Sequence, residues 1–204
     1  MTPRTAVARN RKVEQGEHSR EALIASAVAL FAEKGFAETS TTEIVDRAGL
    51  TRGALYHHFA DKDQLFEAAL EAVEGDIFDR VQAAGARLGD DVRRRLATGV
   101  GVFLDACLEP AVQRILLQEA PSVLGWERWQ RLDRPRCARR LLAVSLAEAV
   151  DRGMVVAPSS DALTHLVYGA LVQAGIVIAG AEDPLATRTV MGETVDRLLD
   201  SLFT

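Results

Sequence analysis

Between Thr41 and Phe59 the chain has room for two short helices and a tight turn, and little else. The segment Thr41-Thr42-Glu43-Ile44-Val45-Asp46-Arg47-Ala48 opens on cap-type residues and runs into Gly49. Thr51 opens a second segment, Arg52 to Phe59, with Leu55 and Phe59 spaced i, i+4. A tight bend between helices needs a small residue and a glycine, and Ala48-Gly49 supplies both. Helices this short are unstable alone and survive by packing. Ile44 and Val45 give the first an apolar face, and Leu55 and Phe59 give the second its own. Both must rest on a third helix. The preceding segment offers one: Leu23, Ala27, Leu30 and Phe31 fall at i, i+4, i+7, i+8, and Lys34-Gly35 ends it. Asp61 can then cap a long helix whose Leu65, Ala69, Val73, Ile77 and Val81 recur every four residues. That spacing drifts around a helix and suits packing against two partners in turn.

With Leu55 and Phe59 turned inward, the opposite face of residues 52–58 is left for solvent. It carries Arg52, Tyr56 and His57, with small Gly53 and Ala54 near its start. Such a helix can enter a DNA major groove N-terminus first. Gly53 and Ala54 permit close approach. Arg52 suits guanine edges or phosphates, and Tyr56, Thr41, Thr42 and Thr51 can bond phosphates. Lys62 adds charge where the long helix presents free amides. His58 lies on the inner side and suits packing or capping. Adjacent His57 and His58 cannot face one metal from a helix, so no metal site is expected.

Net charge is −5, from 24 Lys+Arg and 29 Asp+Glu, which argues against a blanket electrostatic binder. The charge is unevenly placed. Residues 1–62 hold nine basic and eight acidic residues, net +1, and residues 63–204 hold 15 and 21, net −6. Arg4, Arg9, Arg11 and Lys12 make residues 1–12 +4. Residues 1–17 are polar and poor in large apolar residues, and read as a flexible basic arm.

The window from Arg20 to Leu70 resembles the DNA-binding domain of the tetracycline-repressor (TetR) family of bacterial transcription regulators. The resemblance rests on an ordered series: Leu30-Phe31 with Gly35-Phe36, Thr41-Thr42 before Ile44, Ala48-Gly49, Gly53-Ala54-Leu55-Tyr56-His57-His58-Phe59, and Lys62 with Leu65-Phe66. Val45-Asp46 and Leu50-Thr51 depart mildly from the family's habit and conserve burial and capping. The resemblance implies an N-terminal helix-turn-helix domain at residues 18–80, with the motif at about 41–60. It also implies a helical effector-binding and dimerisation domain at residues 81–204. The partners it implies are a palindromic double-stranded DNA operator, a small-molecule effector and a second copy of the chain, with no cofactor.

The remaining sequence is helical by pattern. Val92, Leu96, Val100, Phe103 and Cys107 mark one helix; Arg136 to Arg152, Asp161 to Ala179 and Leu185 to Phe203 mark others. No segment alternates convincingly with period two. The expected fold is therefore all-α, with about nine helices. Gly169, Ala170 and Ala174 permit close helix approach, and Met191, Val195, Leu198 and Leu202 form an apolar stripe. These seven are the expected dimer interface, since a palindrome needs a two-fold protein. Candidate pocket residues are Phe103, Cys107, Gln118, Trp126, Trp129, His165 and Tyr168. His165 and Tyr168 share a helix face among apolar neighbours and are the expected ligand-orienting pair.

Leu166 to Ala181 is the most apolar stretch, but its sixteen residues include Gln173. A bilayer span needs about 20, so it reads as a buried helix and not a membrane span. No secretory signal is expected, and Cys107 and Cys137 match no zinc or disulfide spacing. The chain therefore reads as cytoplasmic. No catalytic residues are expected: nucleophile elbow, phosphate loop, dinucleotide fingerprint and HExxH are all missing. Two other readings stay open: an enzyme built on Cys107 and His165, and an architectural DNA binder without ligand.

Overall fold

The computed structural model describes residues 3–125, 129 and 135–203, with side chains from residue 15 onward. Over these residues the chain forms nine α-helices and one π-helix, with no strand beyond an isolated bridge between Val155 and Phe203. The first four helices are α1 (Pro3–Lys34), α2 (Thr41–Ala48), α3 (Arg52–His58) and α4 (Lys62–Gly85). The rest are α5 (Val92–Ala106), the π-helix π1 (Val112–Glu119), α6 (Ala120–Leu124), α7 (Ala138–Asp151), α8 (Ser160–Ala179) and α9 (Pro184–Asp200).

The reading unit, α1 to the start of α4, is built as its residues require. Leu23, Ala27, Leu30 and Phe31 of α1 are all buried, as are Ile44, Val45, Leu55 and Phe59. Ser40, and not Thr41, caps α2: its hydroxyl accepts from Glu43 N while Glu43 reaches back to Ser40 N, a capping box. Gly49 turns the chain at φ +65°, a region open to glycine. Phe31, Phe36 and Phe66 pack with ring centroids 5.2–5.8 Å apart. Burying each such ring contributes about 2–3 kcal/mol.

Asp61 caps α4 by accepting from Gln64 N at 2.8 Å. Leu65, Ala69, Val73 and Ile77 are buried, and Val81 is half-buried. The helix changes partners along its length, packing on α1 early and on α5 and α7 later, which explains the drift. It crosses the boundary expected at residue 80 and ends at Gly85, so one rigid element belongs to both domains.

Two expectations are corrected. The arm expected over residues 1–17 is helical from Pro3 onward. Proline suits the first helical position, and Ala, Arg, Lys, Glu and Gln after it are good helix formers, with Gly16 the weak point. The apolar helix expected to be buried is α8, and only 33% of its most apolar window is buried in the subunit. Leu166 is 74% exposed, and Ile176 and Val177 lie beside it on the open side.

Candidate nucleic-acid interface and ligand cavity

The outer face of α3 is open. Tyr56 is 56% exposed, and Thr51, Arg52, Gly53 and His57 are exposed as well. The Arg52 guanidinium donates to the Thr42 hydroxyl, so a side chain of α2 orients the principal cation of α3. Thr41 and Thr42 are half-buried at the start of α2. Thr51 Oγ1 accepts from Ala54 N at 3.2 Å, which leaves its own proton to donate. A Cβ on Gly53 would meet nothing closer than Thr51 Oγ1 at 3.8 Å. The subunit's own packing therefore does not demand a glycine there. His58 is half-buried against the reading unit, and burial, then the His57 and Arg20 charges, hold its imidazole below the ordinary value. It stays neutral at pH 7, as a packing residue should.

Lys62 differs from expectation. Its Nζ donates to Phe36 O at 2.8 Å and Thr39 O at 3.1 Å, and it lies 4.1 Å from the Phe36 ring centroid. It is half-buried. Two of its three donors hold the α1–α2 turn, so it is first a structural tie and has one donor left for a phosphate. The physical reason is position: the N-terminus of α4 lies over a turn whose Phe36 and Thr39 carbonyls can accept from a cation.

The body grips the same turn from the other side, through contacts the sequence did not suggest. Phe36 N donates to Glu119 Oε2 at 2.8 Å, and Arg114 Nη2 donates to Lys34 O at 3.0 Å. Arg114 and Glu119 pair with each other at 3.3 Å. Both lie on π1, and both crowd Gly35, whose φ is +85°.

The expected pocket residues separate. Trp129, His165 and Tyr168 line a cavity of about 270 Å³ with Glu74 of α4, Leu117 of π1, Pro121 of α6 and Arg139 of α7. Val172, Gln173 and Ile176 of α8 complete much of its wall. Phe103 instead lines a smaller cavity of about 50 Å³ that shares Tyr168. Cys107 is fully buried, and burial pushes its thiol to about 12. It lines neither cavity. Gln118 is exposed: π1 places Ile115, Leu116 and Leu117 inward together and turns the next residue out. Trp126 lies outside the described residues. Burial is also the main cause holding the Tyr168 hydroxyl protonated far above its ordinary value. Among the described residues no cluster of His, Cys, Asp and Glu could hold a metal ion.

The expected dimer residues separate too. Gly169 and Leu198 are exposed, and Ala170, Met191 and Leu202 are half-buried. Ala174 and Val195 are 5% and 7% exposed and belong to the subunit's own core. On the inner side of α8 the subunit's own elements make the close approach: a Cβ on Gly175 would lie 2.8 Å from Cys107 Sγ and 3.1 Å from Leu117 Cδ1, whereas a Cβ on Gly169 would meet nothing within 4 Å. The exposed large apolar side chains of these two helices are Leu166, Ile176 and Val177 on α8 and Leu185, Val190 and Leu198 on α9.

Residues 23–69 match the family model described as "Bacterial regulatory proteins, tetR family", and residues 93–202 match "Tetracyclin repressor-like, C-terminal domain". The chain is 26% identical over 165 residues to the transposon Tn10 TetC protein of Escherichia coli, covering 79% of this chain and 80% of that protein. It is 28% identical over 149 residues to the transcriptional repressor KstR2 of Mycobacterium tuberculosis, covering 71% and 72%. Among solved structures, a TetR-family regulator from Pectobacterium atrosepticum superposes with a TM-score of 0.73 at 33% identity, covering 94% of this chain and 97% of that one.

Proposed function

The chain belongs to the TetR family of DNA-binding transcription regulators, and on that premise we propose that it is a homodimeric repressor released from a palindromic operator by a small molecule. The observation that carries the DNA side is the open face of α3, with Arg52 oriented by Thr42 and a glycine beside it that the subunit does not need. Arg52 and Tyr56 would supply base and phosphate contacts, with Thr42, Thr51, His57 and the spare donor of Lys62 around them. The apolar face of α8 and α9 supports pairing of two copies, which sets two reading heads one helical turn of DNA apart, about 34 Å.

The 270 Å³ cavity supports the effector-responsive reading over an architectural one. Its wall includes Glu74 of α4, the helix whose other end begins in the reading unit. A ligand that favours a different seating of α4 changes the distance between the two heads, and ligand and DNA then oppose each other reciprocally. An enzyme built on Cys107 finds no support, because a fully buried thiol held near 12 is no nucleophile at pH 7. A role in the cytoplasm, with the DNA, follows from the same reading.

The test is fluorescence anisotropy with DNA from upstream of the chain's own gene. Salt-sensitive, sequence-preferring binding is expected, with Arg52→Ala costing about 1–3 kcal/mol of specific affinity. Binding without sequence preference, or an Arg52→Ala loss no larger than that of a distant surface change, refutes the assignment.

A further inference from the structure

The cavity's polar groups say what kind of molecule it takes. Arg139 reaches it from α7, Glu74 from α4, and Tyr168, His165 and Gln173 from α8. The two charges differ in one respect. Glu74 has a partner, whereas Arg139 makes no hydrogen bond or ion pair to any other described residue. Two other arginines of the body at cavity walls do have partners among the described residues: Arg95 holds Glu148, and Arg136 holds Asp79. His165 is occupied only loosely, 3.8 Å from Asp161. Tyr168 sits where the large and small cavities meet, and among the described residues its hydroxyl has no hydrogen-bond partner. That hydroxyl stays protonated and so remains a donor. The rest of the wall is largely apolar, with Leu117, Pro121, Val172 and Ile176, the last two on the same helix face as Tyr168.

Arg139 is half-buried, and among the described residues no carboxylate pairs with it, so an anion arriving from outside would supply its counter-charge. We propose that the effector is a small amphipathic carboxylate, its carboxyl group held by Arg139 and Tyr168 and its apolar part lying against Leu117, Val172 and Ile176. The cavity's 270 Å³ holds on the order of ten non-hydrogen atoms, taking about 30 Å³ for each. This assignment rests on the effector-responsive reading above and narrows it.

The experiment is calorimetric and thermal-shift titration of the full chain with matched sets differing only in the head group. The sets are phenylacetate, phenylacetamide and phenethylamine, and octanoate, octanamide and octylamine. A carboxylate is expected to bind at least about tenfold more tightly than its amide or amine, the effect of one charge-assisted pair. Arg139→Gln should abolish that preference while the fold, followed by circular dichroism, stays intact. Tyr168→Phe should weaken the carboxylate several-fold and leave the amide less affected. Equal or tighter binding of the amide or amine overturns the proposal. So does no binding of either carboxylate at millimolar concentration, or a preference that survives Arg139→Gln. Operator DNA separates the two readings. A neutral ligand that releases operator from the cavity sinks the carboxylate and keeps the effector switch. A carboxylate that binds through Arg139 without releasing operator keeps this assignment and sinks the switch.

Discussion

Gly35→Ala probes the joint between body and reading unit. Its φ of +85° is costly for any residue with a Cβ, about 1–2 kcal/mol. The added methyl would also lie 2.7 Å from Arg114 Nη2 and closer still to Glu119 Oε1. Glu119 is not free to step aside, because it accepts from Phe36 N and pairs with Arg114, with its side chain 19% exposed. Moving it leaves the part-buried Phe36 N–H without an acceptor, a further penalty of about 1–3 kcal/mol. The total expected is about 2–5 kcal/mol. For a chain of this length each kcal/mol lowers Tm by about 2–4 °C, so a fall of about 4–20 °C is expected in thermal denaturation. A cycle with Glu119→Ala isolates the mechanism. Once the carboxylate is gone the closest clash is removed and Arg114, released from its ion pair, can shift from the methyl, so the double variant should be more stable than the two single losses predict, by about 1 kcal/mol or more. A Gly35→Ala protein within about 1 °C of the parent, or losses that simply add, would refute the reasoning.

Lys62→Met keeps the aliphatic stem and removes the ammonium that holds the Phe36 and Thr39 carbonyls. It should cost about 1–3 kcal/mol in urea denaturation without DNA, whereas a lysine kept only for phosphate would leave stability unchanged. The Glu43 carboxyl is held down from an ordinary 4.5 to about 2, chiefly by its hydrogen bond from Lys34 and then by Ser40. A depressed carboxylate stabilises above the unfolded value and loses that contribution as pH falls from about 4.5 to 2. Glu43→Gln should therefore flatten the acid limb of a stability–pH curve in that window and leave pH 7 less affected by acidification above 5. Leu166→Glu and Leu198→Glu place charge on the open apolar face of α8 and α9. Sedimentation should show monomers with native circular dichroism, while unchanged dimers would remove that face from the interface.

The reading unit was legible because its signals are local. A capping serine or threonine, a glycine at a fixed bend and apolar residues four apart each act within one turn, and several agree across residues 40–61. Lys62 shows where locality ends. Whether a lysine at a helix start meets solvent or a neighbouring turn depends on the Phe36–Thr39 carbonyls, more than twenty residues away in sequence. The stripe on α9 failed in part for a related reason. A helix packed on one side and open on the other carries two apolar rows, and spacing alone does not say which row faces inward. Val195 and Leu199 went to the core, while Leu198 stayed out. Gln118 faces outward because π1 changes the phase of the chain locally, and no composition signal marks a π-helix; Cys107, at the end of α5, is buried against Gly175 of α8, a neighbour that its own helix pattern does not reveal. Gly35 was read as a helix stop, which it is, but its second role needed Arg114 and Glu119 from a distant element.

The grip of Lys62 on the α1–α2 turn has a mechanical meaning. Because the ammonium bonds both Phe36 O and Thr39 O, the start of α4 cannot swing without carrying the turn with it. The helix and the reading unit therefore act as one lever, and α4 is its arm. Its 24 residues make that arm about 36 Å long at 1.5 Å per residue. A tilt of about 5° at the far end then moves the reading head by about 3 Å, close to the ~3.4 Å rise of one DNA base step. Lys62 tightens a coupling that Phe66 also makes by packing on Phe31 and Phe36: loosening it would let α4 tilt more freely against the head, and in the proposed switch a ligand would then move the head less.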